Sequence, residues 1–181
     1  MTTKTPLAPP FPFGPTRAAF AISAISAATL AGAWIFQYGF GYVPCALCWM
    51  EREPYYLTVP LALIAGIAGA QGVSKKFVLA ALALCLAAFL YNGGLSFYHA
   101  GAEYGLWPGP DSCGGGVALP GSVEEFQAQL SGGIHPPRCD EAAWTLFGIS
   151  LAGYNFLISL LLAALSAAPI AHYLQTRKEN A

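Results

Sequence analysis

Four stretches of this chain contain no Asp, Glu, Lys or Arg. The first runs from Ala18 into the region of Phe36 and stays uncharged to Met50; the others are Pro54 to Ser74, Phe77 to Tyr98 and Ala142 to Ala171. Each is long enough to cross about 30 Å of hydrocarbon at about 1.5 Å per residue. Backbone polar groups in lipid must be paired internally, so such stretches become helices or barrel strands. Their Ala, Leu and Gly content, with no alternation of period two, selects helices. Only 9% of residues are charged and 56% are apolar, where a globular domain carries about 25% charged residues. The expectation is an all-α membrane protein: a four-transmembrane-helix bundle with two loops on the side opposite the termini.

The boundaries follow from the polar gaps. Spans are expected at roughly 18–38, 54–71, 77–98 and 144–171, with outer loops at roughly 39–53 and 99–143. Residues 1–17, rich in proline, read as a disordered N-terminus, and 172–181 as a polar tail. Lys4, Arg17, Lys75, Lys76, Arg177 and Lys178 share one side, which leaves Arg52 and Arg138 on the other. This asymmetry puts both termini in the cytoplasm. Trp34, Trp49, Trp107 and Trp144 then lie at or beyond the outer interface. A cleaved signal peptide is the rival reading of the first span, but the uncharged run is well beyond the 7–15 residues of a typical apolar signal core. A net charge of −1 gives no reason to expect a nucleic-acid partner.

Four of the five cysteines, Cys45, Cys48, Cys113 and Cys139, fall in the outer loops; Cys85 sits mid-span and reads as a small buried apolar side chain. An even number of outer cysteines points to an oxidising compartment. With no organelle signal evident, that is a bacterial inner membrane facing the periplasm. Three readings compete. A four-thiolate zinc site usually brings a second Cys-x-x-Cys, whereas Cys113 and Cys139 stand 26 apart. Inert disulfides in a four-span membrane protein would suit Cys113 with Cys139, a loop whose closure stabilises by roughly 3 kcal/mol. They explain Cys45 and Cys48 poorly, because a two-residue gap closes almost nothing. Redox-active pairs account for the charges as well. Arg52 is four residues after Cys48, and Arg138 precedes Cys139. On one helix Cys48 and Arg52 would share a face, and a fixed cation favours the reactive thiolate. The blander alternative has Arg52 snorkelling at the interface or paired with Glu51 or Glu53.

The segment PCALCWMER (44–52), after FQYGFGYV, resembles the first periplasmic loop of the disulfide bond formation protein B (DsbB) family. The resemblance continues through YHAGAEYGLWPGPDSC (98–113), the distant Cys139 and WTLFG (144–148), and so covers nearly the whole chain. It implies a membrane thiol:quinone oxidoreductase that reoxidises a DsbA-type periplasmic dithiol oxidase and delivers the electrons to quinone, either ubiquinone or menaquinone. Carried over, Cys113 and Cys139 match the pair that exchanges with the partner, and Cys45 and Cys48 the pair next to the quinone. Arg52 matches an arginine that contacts quinone. His99 lies at about the spacing of a histidine near that ring; its alternative is a histidine capping the third span.

Partners of the DsbA type are strong oxidants, with a known potential of about −120 mV that this sequence does not itself reveal. Every ~30 mV uphill costs about 1.4 kcal/mol in a two-electron step, so a relay of protein disulfides alone would stall and a quinone in the bilayer can drain it. The resemblance implies disulfides Cys45–Cys48 and Cys113–Cys139 at rest. It then implies attack of a partner thiolate on Cys113, attack of released Cys139 on Cys45, and a Cys48 thiolate stabilised by Arg52. Glycines at 114–116, 132 and 133 bracket the moving stretch. Between them, Ser122 with Glu125 forms a capping box, and Val123, Phe126 and Leu130 share a face. A short helix over 122–130, lying on the membrane surface, is expected.

Overall fold

The computed structural model describes residues 14–110, 123, 127 and 138–180. Four long helices dominate them: α1 (Pro15–Trp34), α3 (Glu53–Ala70), α4 (Lys75–Glu103) and α5 (Leu151–Glu179), with a short α2 (Ala46–Met50) between the first two. Among the described residues, three segments are long and apolar enough to cross a membrane: Pro15–Gly39, Lys75–Glu103 and Leu151–Glu179. The protein is thus a mostly helical membrane protein. Helix α3 occupies the expected second span but does not reach that apolar standard, because Glu53, Pro54, Tyr55, Tyr56 and Pro60 dilute it. It nevertheless packs within the bundle, chiefly on α1, while α4 packs chiefly on α5. Of the expected helix over 122–130, only Val123 and Gln127 are described; both are helical and exposed.

Packing follows the small residues. Ala18, Ala19, Ile22, Ser23, Ser26 and Leu30 form the buried stripe of α1. Opposite it, a Cβ on Gly66 would stand 2.9 Å from the Phe20 ring, and one on Gly69 would overlap Thr16 Oγ1. Small residues let membrane helices approach closely where no hydrophobic effect drives them together. Phe89, Leu82, Val78 and Leu162 fill the centre. Leu57, Ile64, Leu84, Leu90, Leu160 and Leu161 point outward, as lipid-facing side chains do.

Helix α4 continues past Tyr98 through HAGAE (99–103), which contains no proline and whose Gly101 makes room for the Trp107 ring. It stops in a Schellman motif: Gly105 adopts φ 70°, while the N–H groups of Leu106 and Gly105 donate to the carbonyls of Gly101 and Ala102. His99 and Glu103 therefore sit on a rigid helix. The chain then folds back. Trp107 stacks on Tyr98 at 6.1 Å and donates from Nε1 to the Tyr98 carbonyl at 2.7 Å. Its ring lies where a side chain at Gly101 would stand, 1.9 Å from an added Cβ. Gly101→Ala is accordingly expected to expel Trp107 and to destabilise by about 1–3 kcal/mol. A lower thermal midpoint with red-shifted tryptophan emission is the expected result; an unchanged midpoint and spectrum would refute it.

The expected last span begins at 144, but the helix begins at Leu151. Residues before it form a minimal hairpin, β1 (Thr145–Leu146) and β2 (Ile149–Ser150), with Thr145 opposite Ser150. Its two turn residues, Phe147 and Gly148, both have positive φ, the two-residue turn whose twist matches paired strands. Ser150 then caps α5 by accepting the Gly153 N–H at 3.1 Å. The helix runs on through Pro169 into the expected tail, ending at Glu179.

Candidate functional site

The last turn of α1 widens into a π-helical turn, Ile35–Gly39, which carries Gln37. After the extended segment that follows, Cys45 caps α2: its Sγ accepts the Cys48 backbone N–H at 3.2 Å. Helix α2 ends at Met50, and α3 starts at Glu53. Glu51 and Arg52 occupy the corner between them and are buried, 7% and 9% exposed. This corner corrects one expectation. Cys48 and Arg52 lie on either side of a helix break, so they do not share a helix face. The Arg52 guanidinium instead donates from Nη1 to Gln37 Oε1 at 2.5 Å and lies 4.9 Å from the centre of the Trp49 ring.

His99, on α4, meets the first loop at this corner. Its Nδ1 is 2.7 Å from Glu51 Oε1, and its Nε2 is 3.6 Å from Cys45 Sγ. Asn155, on α5, donates to Glu51 Oε2 at 2.9 Å and to Ser96 Oγ at 2.7 Å. The Asn155 carbonyl accepts from Tyr55 OH at 2.5 Å. Burying a carboxylate is expensive unless it is hydrogen-bonded, and both Glu51 oxygens have partners. One neighbour is less well served: Glu103 Oε1 stands 3.8 Å from His99 Nε2, and among the described residues its buried Oε2 makes no hydrogen bond of ordinary geometry.

Cys139 is fully buried against Cys45 and Leu47. Cys45 Sγ, His99 Nε2 and Cys139 Sγ all lie within 4.8 Å of one another. Cys139 is disulfide-bonded, whereas Cys45, Cys48 and Cys85 are free thiols; Cys113 lies outside the described residues. The structure therefore holds a dithiol at 45 and 48, not the disulfide that the resemblance implies for the resting protein. The acidic member of this dithiol is also reversed from expectation. Hydrogen bonds from the Cys48 side chain and backbone hold the Cys45 thiol below its ordinary range, against the opposing effect of burial. Cys48 is pushed up, because its thiol hydrogen-bonds Cys45 and because it is buried. Arg138 makes a two-pronged pair with Asp140, at 2.9 and 2.6 Å, and its side chain is 52% exposed. Such exposed pairs contribute little to stability.

The thiols open onto a cavity of about 610 Å³. Its walls are largely apolar, with Leu30, Ala33, Phe36 and Ile158, and its polar groups include Gln37, Arg52, His99 and Glu103. An apolar cleft with a few convergent polar groups is the usual form of a small-molecule site. Sequence reasoning singled out Cys45, Cys48, Arg52 and His99, and all four line this one cavity. It missed Glu51, Gln37, Glu103 and Asn155. Asn155, a polar residue inside an apolar span, was the available signal, since such residues are expensive in lipid unless they have partners.

Over residues 15–169 the chain matches the family described as disulfide bond formation protein DsbB. It is 31% identical over 172 residues to a disulfide bond formation protein B of Verminephrobacter eiseniae, covering 92% of each chain. To the protein of that name from Actinobacillus pleuropneumoniae it is 33% identical over 132 residues, 70% of this chain and 69% of the other. The Haemophilus influenzae Rd protein of that name is 31% identical over 166 residues, 89% of each chain. No solved structure gives a significant match. Three membrane-length helices, a buried dithiol against a disulfide and a match spanning most of the chain lead to one assignment: the protein belongs to the disulfide bond formation protein DsbB family.

Proposed function

We propose that this membrane disulfide-forming protein reoxidises a DsbA-type periplasmic dithiol oxidase and passes the electrons to membrane quinone, first through Cys113 and Cys139 and then through Cys45 and Cys48. In this reading α3 is a fourth span, the chain sits in a bacterial inner membrane with both termini cytoplasmic, and the cysteine loops face the periplasm. The carrying observation is the approach of the Cys45 sulfur to within 4.8 Å of the disulfide-bonded Cys139 sulfur. Two sulfur pairs that close can exchange by a short rotation of either side chain. Purely structural disulfides, the alternative for a four-span protein, would not leave Cys45 and Cys48 as free thiols at the mouth of a cavity.

Exchange proceeds by thiolate attack on a disulfide sulfur. A partner thiolate attacks Cys113, and the Cys113–Cys139 bond breaks with its electron pair on Cys139. Cys139 thiolate attacks Cys45 of a Cys45–Cys48 disulfide, and Cys48 leaves as thiolate. The partner's second thiol then resolves the mixed disulfide at Cys113, freeing the Cys113 thiolate. That thiolate attacks Cys139 in the Cys45–Cys139 link and releases Cys45. The first pair is now a dithiol and the second a disulfide, the state that the structure holds at Cys45, Cys48 and Cys139. The cavity fits a quinone: its apolar walls suit a flat ring, and Arg52, Gln37 and His99 offer polar groups for the ring oxygens. A bound quinone supplies an acceptor for two electrons and two protons.

The test mixes purified protein, a reduced DsbA-type partner and a water-soluble ubiquinone analogue, and follows quinone absorbance and partner thiols together. One quinol per partner disulfide is expected. Partner oxidation with no quinol formed would overturn the reading.

A further inference from the structure

The proposed function uses Cys45 as the attacked sulfur and then as a leaving group but gives no account of its proton. Nor does it use Glu51, which is buried with both oxygens hydrogen-bonded, one to His99 and one to Asn155. Three helical elements converge on this carboxylate: the corner after α2, His99 from α4 and Asn155 from α5. A fold needing only a polar contact between helices already has one in Asn92 with Ser159 at 3.0 Å. Glu51 fixes something more specific. With Nδ1–H donated to Glu51 Oε1, the other ring nitrogen, Nε2, is the one that faces Cys45 Sγ at 3.6 Å. Thiol, base and orienting carboxylate in that order form the arrangement that moves a proton on and off a cysteine sulfur.

We propose that Glu51, itself anchored by Asn155, orients His99 as the acid–base partner of Cys45. This deepens the relay reading, on which it rests. In the step, the Cys45 S–H bond breaks and a bond forms from that proton to His99 Nε2. The product is a thiolate beside an imidazolium held by the Glu51 carboxylate; no electron moves, and the reverse step returns the proton when Cys45 leaves as thiolate. Cys45 and His99 are the catalytic residues here, and Glu51 and Asn155 are positioning residues. The charged and titratable groups facing His99 are few. From the first loop they are Cys45, Cys48 and Glu51, and from its own helix Glu103. From α5 only uncharged Asn155 reaches the cluster, and Tyr55 of α3 touches it through Asn155. Cys139, being disulfide-bonded, does not titrate, and Arg52 lines the same cavity with its guanidinium on Gln37.

The direct field of Glu51 and the relay act on Cys45 with opposite signs, and this makes the proposal testable. A bare carboxylate near Cys45 disfavours its thiolate, so by field alone Glu51→Gln makes Cys45 more reactive. If Glu51 instead sustains the imidazolium, the same change makes Cys45 less reactive. The experiment uses the full-length dithiol protein in detergent, without quinone or partner. The rate of Cys45 alkylation by iodoacetamide is followed against pH, with Cys45 and Cys48 resolved by tandem mass spectrometry. Glu51→Gln is expected to lower the neutral-pH rate about tenfold, equivalent to a titration moved about one pH unit upward. Glu51→Asp should recover part of that loss, and Asn155→Ala should shift the profile in the same direction by less. An unchanged or faster rate in Glu51→Gln overturns the proposal. If that variant does not fold, His99→Gln decides alone: a slower, alkaline-shifted profile supports the assignment and an unshifted one sinks it. Because neither quinone nor partner is present, failure here leaves the electron relay standing, and failure of the relay leaves these titrations unaffected.

Discussion

Cys45→Ser is expected to abolish turnover with reduced partner and quinone, by more than about a thousandfold, while leaving the helices folded. Removing a sulfur that must form and break covalent bonds in every turnover has effects of at least that order. The stability side is argued from the same site. Cys45 is a free thiol in the structure, so its replacement breaks no covalent brace in this state. The change is one of sulfur to oxygen at a residue packed on Leu47 and Cys139, remote from the Phe89, Leu82 and Leu162 core. The serine hydroxyl would keep the Cys48 N–H and His99 Nε2 as hydrogen-bond partners, so the loss is expected to stay below the roughly 1–3 kcal/mol of an unpaired buried hydroxyl. Helical circular dichroism, thermal midpoint and turnover are the three measurements. A purely structural cysteine gives the opposite pattern, a lowered midpoint with some defined activity retained. Wild-type turnover in the serine variant would end the relay hypothesis.

The membrane helices were legible because lipid imposes a one-dimensional rule, the exclusion of charge over about twenty residues. Helix α4 illustrates both the rule and its limit. Its apolar body was read correctly, but its extension to Glu103 was not, since HAGAE holds polar residues and a glycine yet no proline to end the helix. That difference matters for function, because it puts His99 on a rigid element aimed at Cys45. The thiol chemistry was half legible. Cys45, Cys48 and Arg52 stand in one contiguous motif, and the structure brings all three to one cavity. Which thiol is the acidic one was not readable, because it turns on the cap at Cys45, whose sulfur accepts the Cys48 N–H. A helix continuing through residue 53 would have aligned Cys48 with Arg52; the break after Met50 keeps the two apart. Glu51 and Asn155 meet across 104 residues of sequence, and only the folded chain reveals such a pairing.

That break also changes what Arg52 is expected to do. Its guanidinium contacts Gln37 and Trp49, and it is not among the groups that set the acidity of Cys45 or Cys48. Arg52→Met and Arg52→Lys should therefore leave the alkylation profile of Cys45 in place, in contrast to Glu51→Gln. Quinone handling should suffer in both. Arg52 lines the cavity between the π-helical turn and α3, and its planar fork can hold Gln37 with one nitrogen while another donates toward a ring oxygen. Lysine keeps the charge but lacks that fork and the flat face that stacks on an indole. Loss of one charge-assisted hydrogen bond is worth about 1.5–3 kcal/mol, so the KM for quinone should rise between roughly tenfold and a hundredfold in the methionine variant, and by less in the lysine variant. Single-turnover exchange between the partner and the Cys113 and Cys139 pair, measured without quinone, should proceed at the wild-type rate in both, since the proposed exchange uses the other loop. A methionine variant with an unchanged KM would reduce Arg52 to a clamp between Gln37 and Trp49, and the quinone would then have to be sought against His99 and Glu103 on the opposite side of the cavity.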